Sequence, residues 1–251
     1  ELIGKNTHKE LQIICSNNIS KIPGKTTYTQ MLNKNGGIEA DLSISCIEED
    51  KFFITTGSAV RYHDKQWVQK NISSDSQIKF KDVTETFAVI GIMGPKSRSL
   101  LSLLSSENFE TSYFPFATAK YIYINDKKIW AQRLSYVGEL GWELFIPLEI
   151  ANKIYKIITQ IGKKFDLAHA GSHTMDILRM EKGYLHWGHD MSPEENQYEA
   201  GLKFAISFKK NINFIGKEAI EKCLGRSWGP FRPPRASDIR RCRNSREEPR
   251  E

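Results

Sequence analysis

Residues 26–56 read TTYTQMLNKNGGIEADLSISCIEEDKFFITT, and this stretch decides the fold class. Thr26 to Leu32 is β-branched and aromatic and predicts a strand. Asn33-Lys34-Asn35-Gly36-Gly37 supplies a hairpin turn of the kind that needs positive φ. A second strand is expected over Ile38 to Ile47, a turn over Glu48-Glu49-Asp50-Lys51, and a third strand over Phe52 to Thr56. Upstream, Leu11, Ile14 and Cys15 share a helical face within 8–16, and Ile22-Pro23-Gly24 breaks the chain. Downstream, a helix over 58–70 is expected to carry Val60, His63, Trp67 and Val68 on one face. Strands follow at 76–80 and 86–93, a Gly94-Pro95 stop opens a helix over 95–104, and strands recur at 119–124, 128–135 and 144–146. Helices are expected over 149–161 and 171–181. Hairpins mixed with helices, without regular strand–helix alternation, give an α+β fold with antiparallel sheets. Neither GxGxxG nor GxxxxGK[ST] occurs, so dinucleotide and P-loop readings have no support.

The chain has 251 residues, 39% hydrophobic and 26% charged, which fits an ordinary soluble protein. No run of eighteen apolar residues exists, and Glu1-Leu2-Ile3-Gly4-Lys5 has no signal-peptide profile, so no membrane span is expected. The formal charge of +6 invites a nucleic-acid reading until it is located. Residues 225–251 hold eight of the twelve arginines, none of the lysines, and four acids, a net +4; residues 1–224 carry only +2. That tail also has four of the nine prolines. It reads as an Arg/Pro-rich disordered arm or as sequence foreign to the body, and no nucleic-acid partner is expected for the body. Cys15, Cys46, Cys223 and Cys242 are scattered without a CxxC pair, which points to a reducing compartment and to no zinc site.

Three patches concentrate candidate chemistry. In 28–42, Asp41 interrupts an alternating strand; it is either a solvent-facing acid on an edge strand or a placed carboxylate. In 135–144, Tyr136, Glu139 and Glu143 bracket a turn with two glycines, so exposed hairpin acids are the plain alternative. In 176–190, His186 and His189 are three apart, but no third ligand has a fixed spacing, so ring packing is preferred to a metal site. Arg179 and Glu181 read by default as a surface pair of little energetic weight. No Ser nucleophile elbow, HExxH or Cys/His arrangement is present.

Taken in order, YTQMLNKNGGIEADLSI, GPKSRSLL, SYVGELGWELFIP, DILRMEKGYLHWGHD and EAGLKFAI…NFIGKEAI resemble the folate-binding domain of the glycine-cleavage T-protein (aminomethyltransferase) family. The resemblance covers about 28–220 and is closest to the carboxy-terminal half of dimethylglycine and sarcosine dehydrogenases. It implies an α+β assembly of antiparallel sheets and packed helices around a tetrahydrofolate channel. It divides the chain into a first lobe (1–84), a second lobe (85–200), the start of a carboxy-terminal region (201–224) and the tail. The implied reaction places a one-carbon unit on tetrahydrofolate as 5,10-methylenetetrahydrofolate.

By motif, Asp41 matches the catalytic aspartate near folate N10, Glu143 the carboxylate that grips the pterin, and Tyr28 and Tyr136 ring-contacting tyrosines. Arg179 matches an arginine that approaches the folate. A carboxylate can accept adjacent pterin N–H donors in parallel, and one beside N10 can stabilise cationic character during transfer. Ala40 stands where T-proteins commonly have a second acid, as in the dehydrogenase branch. The family's strand ahead of the Glu1–Ser16 region, its closing β-barrel and the branch's FAD domain are expected to be missing, as in a fragment truncated at both ends. The implied partners are a flavin amine-oxidising domain or, for a stand-alone aminomethyltransferase, a lipoyl carrier protein. A non-catalytic folate-binding module is the other alternative. The implied location is cytoplasmic, or the mitochondrial matrix in a eukaryote.

Overall fold

The computed structural model describes residues 1–74 and 77–224, and the arginine-rich 225–251 tail lies outside them. The 26–56 stretch forms a three-strand meander within a larger sheet. That sheet contains β1 (Leu2–Ile3), β2 (Thr26–Leu32), β3 (Ile38–Glu48), β4 (Lys51–Thr56) and β5 (Lys79–Phe80), in the order β2-β3-β4-β1-β5. Its ladders are antiparallel throughout. Leu2–Ile3 is thus a short strand inside the Glu1–Ser16 region, where only a helix was expected. The edge-strand expectation for Asp41 fails, because β3 is paired on both sides, by β2 and β4. At the β2–β3 turn Gly36 takes φ +86°. A Cβ on Gly37 would fall 1.8 Å from the Pro193 carbonyl oxygen, so only glycine fits there.

Alternation sends Ala40, Leu42, Ile44 and Cys46 to one face of β3, where they are buried against helices. α1 (Thr7–Ile14) contributes Leu11 and Ile14, and α2 (Arg61–Asn71) contributes Val68. The face expected for the second helix holds in part: Trp67 and Val68 pack on the core, whereas His63 is exposed and Asp64 is buried in its place. Val60 lies in a 3₁₀ turn, Ser58–Val60, ahead of α2.

A second antiparallel sheet contains β6 (Phe87–Met93), β7 (Ala119–Ile124), β8 (Lys127–Gln132) and β9 (Gly141–Pro147), in the order β6-β9-β8-β7. The strand expected over 128–135 ends at Gln132, because the chain turns through Gly138 at φ +68° to re-enter as β9. α3 (Ser97–Leu104) and α4 (Leu148–Gly162) cover its outer face, burying Leu101, Ile154 and Ile158 on Ile129, Trp142 and Leu144.

The two inner faces meet each other. Phe53 from the first sheet packs with Ala119, Trp130 and Phe145 from the second. The Phe53 and Phe145 rings lie 5.2 Å apart at 84°, an edge-to-face contact. Each such buried aromatic stabilises the seam by about 1.5–3 kcal/mol. A Lys25–Thr118 bridge joins the rims of β2 and β7. The result is two sheets face to face, each backed by helices on its outside, with no closed barrel among the described residues.

The chain continues through α5 (Ser172–Glu181) to α6 (Lys217–Leu224). The intervening loops cap the β2–β3 hairpin, burying Leu32 and Ile38 with Met191, Phe214 and Ile220. Trp187 Nε1–H donates to the Ile38 carbonyl at 2.7 Å. This cap brings residues 185–205 to the polar end of the seam.

Candidate functional site

Beyond Phe53 the inner faces turn polar. Register places Gln30 opposite Asp41, Tyr28 opposite Ser43, and Ser43 opposite Thr55. Because side chains alternate, these residues share one face of the sheet, the face turned away from the helices. Gln30 Nε2 donates to Asp41 Oδ1 at 2.7 Å. The Tyr28 hydroxyl also hydrogen-bonds Asp41. Burial pushes the Asp41 carboxyl up to about 6, against the lowering effect of the Tyr28 and Gln30 bonds; the nearby Asp64 charge adds to the rise. Burial, then the Asp41 charge, hold the Tyr28 phenol well above its ordinary value. The Tyr28 ring stacks on Phe204 at 6.0 Å.

Glu143 stands on the facing sheet, in register with Gln132 on β8 and Gly91 on β6. Gln132 Nε2 donates to Thr55 Oγ1 at 3.3 Å, and so ties the two inner faces together next to Glu143. The Gln132 Oε1 is buried without a partner. Glu143 is half-buried, and its carboxylate has no hydrogen bond or ion pair among the described residues. Burial alone raises its carboxyl above the ordinary glutamate value. A half-buried carboxylate left bare lacks the donors that normally offset such burial.

Tyr136 lies in the loop between β8 and β9. Its hydroxyl donates to the Leu185 carbonyl at 3.0 Å, and its ring stacks on Tyr184 at 6.4 Å. Burial pushes its phenol up to about 12; the Arg179 charge opposes this, and the Asp41 charge adds to it. Arg179 is 3% exposed, so the surface-pair expectation with Glu181 is corrected. Its guanidinium bonds Asp176 Oδ1 at 2.8 Å, the Tyr184 carbonyl at 2.9 Å, and Asp190 Oδ2. Asp190 lies eleven residues further along the chain, on the loop that caps the hairpin, and this fold-back takes the guanidinium away from solvent.

The structure thus brings Tyr28 and Asp41 into contact, sets Tyr136 and Arg179 within electrostatic reach of each other, and places Glu143 on the opposing sheet. His186 and His189 stack with ring centroids 5.6 Å apart. Among the described residues no group of three His, Cys, Asp or Glu side chains could hold a metal ion. A small cavity of about 80 Å³ lies elsewhere, on the α2 side of the first sheet near Arg61, Asp64 and Asp82, and does not include Asp41 or Glu143. The sequence reading missed Gln30, Gln132 and Gln197. Neutral amides leave no pattern, although Gln30 stands inside the YTQMLN motif.

The family described as the GCVT N-terminal domain matches residues 1–210. The chain is similar to human mitochondrial sarcosine dehydrogenase, with 35% identity over 235 residues, covering 88% of this chain and 26% of the relative. It is similar to human mitochondrial dimethylglycine dehydrogenase, with 31% identity over 220 residues, covering 87% of this chain and 25% of the relative. The chain therefore spans about a quarter of the length of these relatives. Its fold is similar to the crystal structure of glycine cleavage system aminomethyltransferase T from Bartonella henselae. That match has a TM-score of 0.75 and 19% identity, and covers 89% of this chain and 59% of the other.

Proposed function

The chain belongs to the GCVT N-terminal domain family, as an aminomethyltransferase-type domain related to sarcosine and dimethylglycine dehydrogenases, and we propose that the polar end of its seam binds tetrahydrofolate for one-carbon transfer. The observation that carries this reading is Glu143, a half-buried carboxylate with no donor among the described residues. Such a group suits a ligand edge with adjacent N–H donors, as the pterin ring has. When bound, tetrahydrofolate supplies the N5 and N10 pair that takes up the one-carbon unit as 5,10-methylenetetrahydrofolate.

The roles of the chain's own residues follow from their surroundings. Glu143 accepts the pterin donors and becomes easier to ionise on doing so. Asp41, with its midpoint at about 6, is mostly anionic at neutral pH and stabilises positive charge that develops near N10. Tyr28 and Tyr136 flank the ring. Arg179 has most of its donors occupied by protein, so its first role is to hold the 184–190 loop that receives the Tyr136 hydroxyl.

In the whole protein the partner is a flavin domain that oxidises the amine and delivers the one-carbon unit, with FAD bound there. The lipoyl-carrier alternative rests on the likeness to aminomethyltransferases in sequence and in fold. Residues 1–84 and 85–200 serve as two folate-binding lobes, and 201–224 as the start of a carboxy-terminal region. The relatives' mitochondrial names support a matrix location in a eukaryote. Among the described residues no helix is long and apolar enough to cross a membrane.

Isothermal titration of the full chain with tetrahydrofolate tests this. Glu143→Ala should weaken binding by about tenfold to a hundredfold, the scale of hydrogen bonds to a charged group. Asp41→Ala should leave affinity within a few-fold and impair transfer. A folded wild-type chain that takes up no tetrahydrofolate contradicts the reading.

A further inference from the structure

Asp41 is held by a chain of amides that runs out of the sheet. Gln30 is fully buried, and its two amide atoms point to different partners. Its Nε2 donates to Asp41 Oδ1 at 2.7 Å, and its Oε1 accepts from Gln197 Nε2. Gln197 is also fully buried. It lies 167 residues from Gln30 in sequence, on the loop that caps the hairpin. The same Gln197 Nε2 donates to Ser16 Oγ at 2.9 Å. Ser16 Oγ in turn donates to the Gln30 carbonyl at 3.0 Å. Gln197 therefore offers only donors to Gln30.

An amide side chain has a donor end and an acceptor end. With its acceptor end committed to Gln197, Gln30 must present its donor end to Asp41. We infer that Gln197 is a positioning residue for Asp41: by fixing the orientation of the Gln30 amide, it keeps an N–H directed at the carboxylate. Turned the other way, the Gln30 oxygen would face the Asp41 oxygen, and the carboxyl could answer only by taking up a proton. Nothing in the sequence marks this link, because the ends of the chain of amides meet only in the folded molecule. The functional weight of the inference rests on the folate reading, but its test needs no folate.

The groups that act on Asp41 are few. Tyr28 and Gln30 hydrogen-bond it, and the Asp64 charge acts on it from α2. Tyr136 feels the Asp41 charge from the β8–β9 loop. Loss of the Gln30 donor removes an interaction with the charged form and so raises the Asp41 midpoint.

Carboxyl-carbon NMR titration of the full chain reads this directly. Gln197→Met keeps the bulk and removes the amide; the Asp41 midpoint should rise by ~1 pH unit, tenfold in its ionisation constant. Gln30→Met should give a similar rise, and the double variant no more than Gln30→Met alone, since Gln197 acts through Gln30. Lys210→Met is the structural control. It removes the Nζ that caps the carbonyls of Gln12 and Asn17 near Ser16, so it should lower stability and leave the Asp41 midpoint in place. In the unmodified chain, the side-chain amide signals of both Gln30 and Gln197 should move with the Asp41 midpoint. An Asp41 midpoint unmoved in a folded Gln197→Met chain, or a Gln197 amide blind to that titration, overturns the inference. Failure of folate binding with the amide coupling intact would instead count against the functional reading alone.

Discussion

The two ends of the inter-sheet seam lie between the same pair of antiparallel sheets and have opposite chemistry. At one end Phe53, Phe87, Trp130 and Phe145 fill the gap between sheets with edge-to-face rings. At the other, Tyr28, Gln30, Asp41, Gln132 and Glu143 line it. The apolar end pins the sheets together by burial, which is non-directional and tolerant of detail. The polar end contributes little net cohesion, because two half-buried carboxyls cost free energy that their few bonds do not fully offset. The difference extends to the two carboxylates. Asp41 is held by donors from the protein, whereas Glu143 has none. A group wired in advance fits a task of fixed orientation, and a bare one fits a ligand that brings its own donors.

This contrast can be broken in several places. The largest effect is expected from Phe53→Ala, which should cost about 3–5 kcal/mol in urea unfolding through the cavity it leaves. A cost below 1 kcal/mol would show that the aromatic end does not hold the sheets. The next is a pH dependence from Asp41. Its folded midpoint of about 6 lies above the 3.8 expected of the unfolded chain. The folded state therefore binds more protons in that window, and the contribution is fully present below about pH 4 and lost as pH rises through 6. Stability should fall by about 2–3 kcal/mol across that window, and Asp41→Asn should flatten it. Chemical unfolding at pH 4, 5, 6 and 7 checks both.

A smaller effect is expected at Glu143. Its carboxyl is raised by burial, so by the same sign Glu143→Gln should stabilise the chain at pH 7, by less than the Asp41 effect, and have no such effect near pH 4. Melting curves at the two pH values distinguish this from a general packing change. The smallest effect belongs to Tyr28→Phe, which removes one of two donors to Asp41. It should raise the Asp41 midpoint by less than ~1 unit, and the contrast sharpens if Gln30→Met does more.

Much of the fold was legible in the sequence because the signals are local. The alternation of Ile38, Ala40, Leu42 and Ile44 against Glu39, Asp41 and Ser43 sets which face of β3 is core. The Asn-Gly-Gly segment sets the hairpin. β1 escaped notice because two residues carry no period. The second helix was read with half of its core face, Trp67 and Val68, but with His63 in place of the buried Asp64, and with Val60, which lies in the preceding 3₁₀ turn. At the site, Asp41 and Glu143 could be picked out through family motifs, but their surroundings could not. The burial of Arg179 depends on Asp190, which folds back onto an otherwise exposed helix. The amide chain from Gln197 to Asp41 joins positions that only tertiary packing brings together. Long-range contacts between neutral polar side chains leave no periodicity and no charge pattern to read.

On the folate reading, Glu143 is a carboxylate kept bare for a ligand's donors. This is tested most directly by following its carboxyl-carbon signal through a pH titration, with and without saturating tetrahydrofolate. The expected result is a midpoint above the ordinary glutamate value in the free chain, and a fall once folate supplies N–H donors to the charged form. A Glu143 midpoint that does not move while folate is demonstrably bound would contradict it.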